Sequence, residues 1–158
     1  MIKKALLAGA LLVAAAAAVA QTSCPHPTVK VLRNNQEVPA TGSALAPNVT
    51  LRVHPDSQCP DRVSYKFSAA ELTLVRHGRP VMPAMRVNQP QVNLTAWLKV
   101  SEPGDRIYIF IPYANLVVIS ADGKQRPYPQ PRPTQPKAAK LDLSTDEAKG
   151  ISFVWPLV

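Results

Sequence analysis

Apolar and polar residues alternate with a period of two along most of the chain, the pattern of half-buried strands. Residues 28–32 alternate, and Asn34-Asn35 behind them is a turn signal. Residues 48–53 place Val49, Leu51 and Val53 on one face, and Pro55 ends the run. Residues 62–67 repeat the pattern with Val63, Tyr65 and Phe67 inward. Residues 71–76 predict a further strand, with His77-Gly78-Arg79-Pro80 as a hairpin tip leading into Val81-Met82.

Residues 91–98 read two ways. Period two groups Val92, Leu94 and Ala96, whereas a helical period groups Leu94, Trp97 and Leu98. A short helix or turn is the preferred reading. Residues 106–111 are β-branched or aromatic almost throughout, which predicts a central strand with apolar residues on both faces. Residues 116–119 give a peripheral strand, followed by an Asp122-Gly123 turn in which glycine accepts a positive φ.

From Pro127 to Pro136 every second or third residue is proline, which lacks an amide donor. This segment is expected as an extended surface strap, on an edge or in solvent. Residues 150–155 form the last strand. Short strands with turns about every ten residues predict an all-β, antiparallel, Ig-like sandwich. We expect six to eight strands and at most one short helix.

The first twenty residues stand apart. Met1-Ile2-Lys3-Lys4 is a basic start, residues 5–20 are small and apolar, and Ala18-Val19-Ala20 has the small-x-small form of a cleavage site. The apolar run falls short of the roughly 20 residues that span a bilayer. Gln21 stands where a lipobox needs an aliphatic residue. We therefore expect a signal peptide cleaved after Ala20, a periplasmic or secreted product without an integral span, and a single domain over residues 21–158.

That compartment bears on Cys24 and Cys59, the chain's two cysteines, which are expected to form a disulfide. Zinc is the alternative, since His26 and His54 lie nearby. The spacings Cys-x-His and His-x4-Cys do not match the usual paired-ligand knuckles, and no metal or other cofactor is expected.

The formal net charge is +8, falling to +6 once Lys3 and Lys4 are removed. In an exported protein this charge suits an acidic surface ligand or an envelope protein, and the compartment argues against nucleic acid. Arg76, Arg79 and Arg86 form the local cationic group. With His77 and Gly78 they make the candidate interaction surface, and an exposed strand edge that a partner joins by strand addition is the other surface expected. His77 as a general base would need a partner at a fixed offset, and the sequence supplies none. No serine carries nucleophile-elbow glycines. Asp56 and Asp61 lack the ligand density of a calcium loop. Asp105 and Asp122 read as turn residues, because carboxylates bond neighbouring amides there. A non-catalytic module is the reading; a small periplasmic hydrolase is the rival.

Residues 65–129 carry a resemblance. A strand at 71–75, a turn with Gly78 and the segment 91–98 are followed by Pro103-Gly104-Asp105, which leads into the hydrophobic strand. The Asp122-Gly123 turn comes later. This order resembles the C-terminal domain of the gliding-motility protein GldM, of the type IX secretion machinery in Bacteroidetes-type bacteria. The resemblance implies a β fold and an interaction role, with Pro103, Gly104, Asp105, Asp122 and Gly123 as structural turns. The family protein is a membrane-anchored rod of several domains. The likeness therefore does not imply that this chain drives gliding or secretion.

Overall fold

The computed structural model describes residues 27–57, 59, 62–130 and 149–158. The expected signal peptide and its cleavage point, Cys24, His26, Asp61 and the proline tract beyond Gln130 lie outside the described residues.

The described chain is all-β and antiparallel, built as a sandwich. Seven strands have four residues or more: β1 (Thr28–Arg33), β3 (Asn48–His54), β4 (Ser64–Phe67), β5 (Ala70–Arg76), β9 (Arg106–Pro112), β10 (Leu116–Ile119) and β12 (Gly150–Pro156). Five shorter strands bring the total among the described residues to twelve, above the six to eight expected. They are β2 (Gln36–Glu37), β6 (Arg79–Pro80), β7 (Met85–Val87), β8 (Gln91–Asn93) and β11 (Gln125–Pro127). Two or three residues are too few for an alternation to register in sequence. Two 3-10 turns, Trp97–Lys99 and Tyr113–Asn115, replace the single short helix.

One sheet has the order β2-β1-β3-β8. A second has the order β12-β9-β5-β6, with β7 also paired to β5, and a third has the order β11-β10-β4. The inner face of the first sheet contributes Val29, Val31, Val49, Leu51 and Val92. The facing sheet contributes Leu72, Leu74, Ile107, Ile109, Ile111 and Trp155, and all of these join one continuous core. Each set is one parity of an alternating strand, so period two in sequence becomes one buried face.

Local chemistry sets the turns. Asn34 and Asn35 both have positive φ and close the two-residue hairpin between Arg33 and Gln36. His77 and Gly78 do the same between Arg76 and Arg79. Gly104 has a φ of 93°, so the turn before β9 needs glycine.

Three expectations are corrected. In segment 91–98, residues 91–93 pair with β3 as a strand, and the 3-10 turn begins only at Trp97. Leu94 and Trp97 are buried but Leu98 is 43% exposed, because a turn this short cannot carry three residues onto one face. Strand β9 is central, between β12 and β5, yet Tyr108 and Phe110 on its outer face are only half-buried. Strand β10 is not peripheral in its sheet, since β4 and β11 flank it. The Asp122-Gly123 loop sets its register with β11.

Candidate functional site

The cationic group found in sequence is divided by the fold. Arg76 closes β5 and turns its guanidinium toward the loop before β9. Its Nε and Nη2 donate to the two carboxylate oxygens of Asp105 at 2.8 and 2.9 Å, a bidentate pair. Nη2 also donates to the Val100 carbonyl at 2.9 Å, and Nη1 lies 2.9 Å from Glu102 Oε1. Asp105 further accepts the Glu102 amide at 2.8 Å and is 2% exposed. The Arg76 hydrogen bond is the main reason that its carboxyl is held below the ordinary value, against the opposing effect of burial. The same bond holds Arg76 above its own ordinary value. Arg76 is thus an internal clamp tying the Pro103-Gly104-Asp105 turn to β5.

His77, Gly78 and Arg79 remain on the exposed hairpin tip, beside a shallow groove of about 540 Å3 that Pro80 and Val81 also line. Arg86 is exposed on β7, opposite Glu71 across the strand pair. Asp122 and Gly123 form the β10–β11 loop. There Asp122 accepts from the Lys124 amide at 3.2 Å and pairs with Lys124 Nζ at 3.0 Å. That side-chain contact is the chief cause of its lowered pKa. A second shallow groove of about 620 Å3 lies along this loop.

No cysteine among the described residues is free, and Cys59 donates its amide to the Asp56 carbonyl at 3.0 Å. No group of three or more His, Cys, Asp or Glu side chains among the described residues is placed to hold a metal ion. No described helix is long and apolar enough to cross a membrane.

The sequence favours an exposed strand edge without saying which strand carries it, and the outer edge of β12 is the candidate. Leu157 donates its amide to Asp105 on the β9 side, and Pro156 gives its carbonyl to the Ser43 amide on the opposite side. Backbone direction alternates along a strand, so the N–H and C=O groups of Gly150, Ser152 and Val154 point away from β9. None of them has a backbone partner on that side among the described residues. Ser152 is exposed and Val154 is 43% exposed.

The other strands that end a sheet are short, and most carry charge or proline. They are Gln-Glu in β2, Arg-Pro in β6, Met-Arg-Val in β7, Gln-Val-Asn in β8, Gln-Arg-Pro in β11 and Ser-Tyr-Lys-Phe in β4. Those are the usual guards against strand pairing. β12, Gly-Ile-Ser-Phe-Val-Trp-Pro, has seven residues and no charge.

The outer face beside this edge is also specific in shape. Tyr108 and Phe110 stack with centroids 6.4 Å apart and planes 9° from parallel. A Cβ on Gly150 would meet Phe110 Cε2 at 2.7 Å and would press on the Ile111 carbonyl oxygen. The Phe110 ring therefore lies over Gly150, filling the space that a side chain would take.

Comparison with family models, with curated proteins and with solved structures found no match.

Proposed function

We propose that this chain is an exported, non-catalytic binding module of the cell envelope, whose partner adds a strand to the outer edge of β12. The stretch from Gly150 to Val154, which has no backbone partner on that side among the described residues, carries the reading. Three outward N–H and C=O pairs on a seven-residue uncharged strand are what an incoming strand needs for main-chain affinity. The hairpin around His77 and Arg79 was the other surface favoured by sequence. It keeps the exposed Arg79 but has lost Arg76 to the clamp, so it supplies charge without an ordered ligand frame.

Export rests on the basic start, the apolar run and Ala18-Val19-Ala20, and the Cys24–Cys59 disulfide belongs to the same proposal. An Ig-like topology and kinship with the GldM C-terminal domain are further parts of it. They are supported by the strand pattern and by the turns at Pro103-Gly104-Asp105 and Asp122-Gly123.

The test is capture from an envelope extract with the wild-type chain and a Val154→Pro variant as baits. The Val154 amide points away from β9, so proline there removes an outward donor and leaves the β9 ladder intact. We expect a partner retained by the wild type and lost by the variant, while Arg79→Ala keeps it. A partner held equally by all three baits would end the strand-addition reading.

A further inference from the structure

We propose that the strand added to β12 is β12 of a second copy of this chain, paired antiparallel about a two-fold axis at Ser152. The inference rests on the strand-addition reading and names its partner. Placing the axis at Ser152 sets Gly150 opposite Val154 of the second copy and Ser152 opposite its own equivalent. All three outward residues then form hydrogen-bonded pairs, about six main-chain bonds in total, since each such pair exchanges two. Pro156, which has no amide to offer, falls outside the paired stretch, and its carbonyl is already taken by Ser43.

Side chains fit the same register. Val154 of the second copy comes to lie beside Gly150, on the face where Phe110 covers the missing side chain. An exposed valine thereby meets the flank of an aromatic ring, and Ser152 is small enough to face itself. The two Lys149 residues stand about 20 Å apart at roughly 3.3 Å per residue, beyond a Debye length of about 10 Å. Lys149 therefore does not oppose the contact.

Growth stops at two copies. The far side of the same sheet ends in β6, Arg-Pro, and β7, Met-Arg-Val, whose arginines and proline discourage further pairing. Two five-stranded sheets join into one of ten.

The experiment is sedimentation of protein expressed from residues 1–158, at about 0.1 mM, where micromolar affinity is saturated. Wild type is compared with Ser152→Lys and Ser152→Glu, alone and mixed in equal amounts. Like charges directly opposite destabilise a strand pair and opposite charges support it. We expect two copies for wild type, one for each variant and two again for the mixture, with circular dichroism unchanged throughout.

Wild type sedimenting as one copy, or Ser152→Lys still sedimenting as two, overturns the inference. In the first case, loss of a different envelope protein from the Val154→Pro bait would leave strand addition standing. Equal capture by all baits would remove both.

Discussion

Replacing Asp105 by alanine isolates the clamp between β5 and the turn before β9. The carboxylate accepts two bonds from Arg76 and one from the Glu102 amide. Bonds to a charged group contribute about 1.5–3 kcal/mol each, so a simple sum would exceed 4 kcal/mol. That sum is too large, because the Arg76 side chain is 29% exposed and rehydrates once its partner is gone. The Glu102 amide, by contrast, loses its acceptor in a part-buried place. We expect a net loss of about 2–4 kcal/mol. With a urea m-value of about 1.5 kcal/mol/M, the denaturation midpoint falls by about 1.3–2.7 M.

The pH dependence carries the sign. The folded Asp105 carboxyl is held below its ordinary value of 3.8, so its contribution is fully present above that value. It is lost as pH falls through the lower, folded value. The gap between wild type and Asp105→Ala should be constant from about pH 7 to 5 and narrow below about pH 4. A midpoint shift under about 0.3 M, or a gap undiminished in acid, would refute the clamp as an ionic contact.

Ile109→Ala empties a fully buried site on β9 and should cost about 2–5 kcal/mol by chemical denaturation. Val118→Ala, at a half-buried site on β10, should cost clearly less. Gly150→Ala forces a side chain against Phe110 and the Ile111 carbonyl, and should lower stability by about 1–3 kcal/mol in the same assay. Tyr128 stacks on Tyr113 at 4.9 Å, and burial, aided by its two tyrosine neighbours, pushes its phenol up to about 12. Folding therefore loses stability as pH rises from 10.0 toward that value, and Tyr128→Phe should flatten the loss in an alkaline unfolding series. Intact mass after alkylation without reduction should show no free thiol, and two labelled cysteines would exclude the Cys24–Cys59 bond.

The long strands were legible because each buries one parity of residues. Val49 and Leu51, or Ile107, Ile109 and Ile111, announce an inner face within a few positions. The His77-Gly78 and Asn34-Asn35 turns were legible for a similar reason, since their chemistry is local. What escaped depended on distant partners. Arg76 and Asp105 are 29 positions apart, and no spacing rule joins them. Arg76 accordingly looked like a surface cation and Asp105 like a turn residue. The β12 edge was equally hidden. Its uncharged run was visible, but whether a strand ends a sheet or lies within it is decided by pairing order. Phe110 over Gly150 joins residues 40 apart in sequence in the same hidden way.

Trp155 is wholly buried, and its indole Nε1 donates to the carbonyl and hydroxyl of Ser43, 112 positions earlier. Together with the Ser43–Leu157 bridge, this contact closes almost the whole described chain into one loop. Closing so long a loop costs entropy before any packing repays it, and topologies dominated by distant pairings fold slowly. Until β12 arrives, β9 has a paired neighbour on one side only, and the core lacks Ile151 and Trp155. The sheet and its core are therefore complete only with the last strand. A chain stopped short of residue 150 would expose β9 as a bare edge of alternating isoleucines, a much stickier surface than the edge of β12.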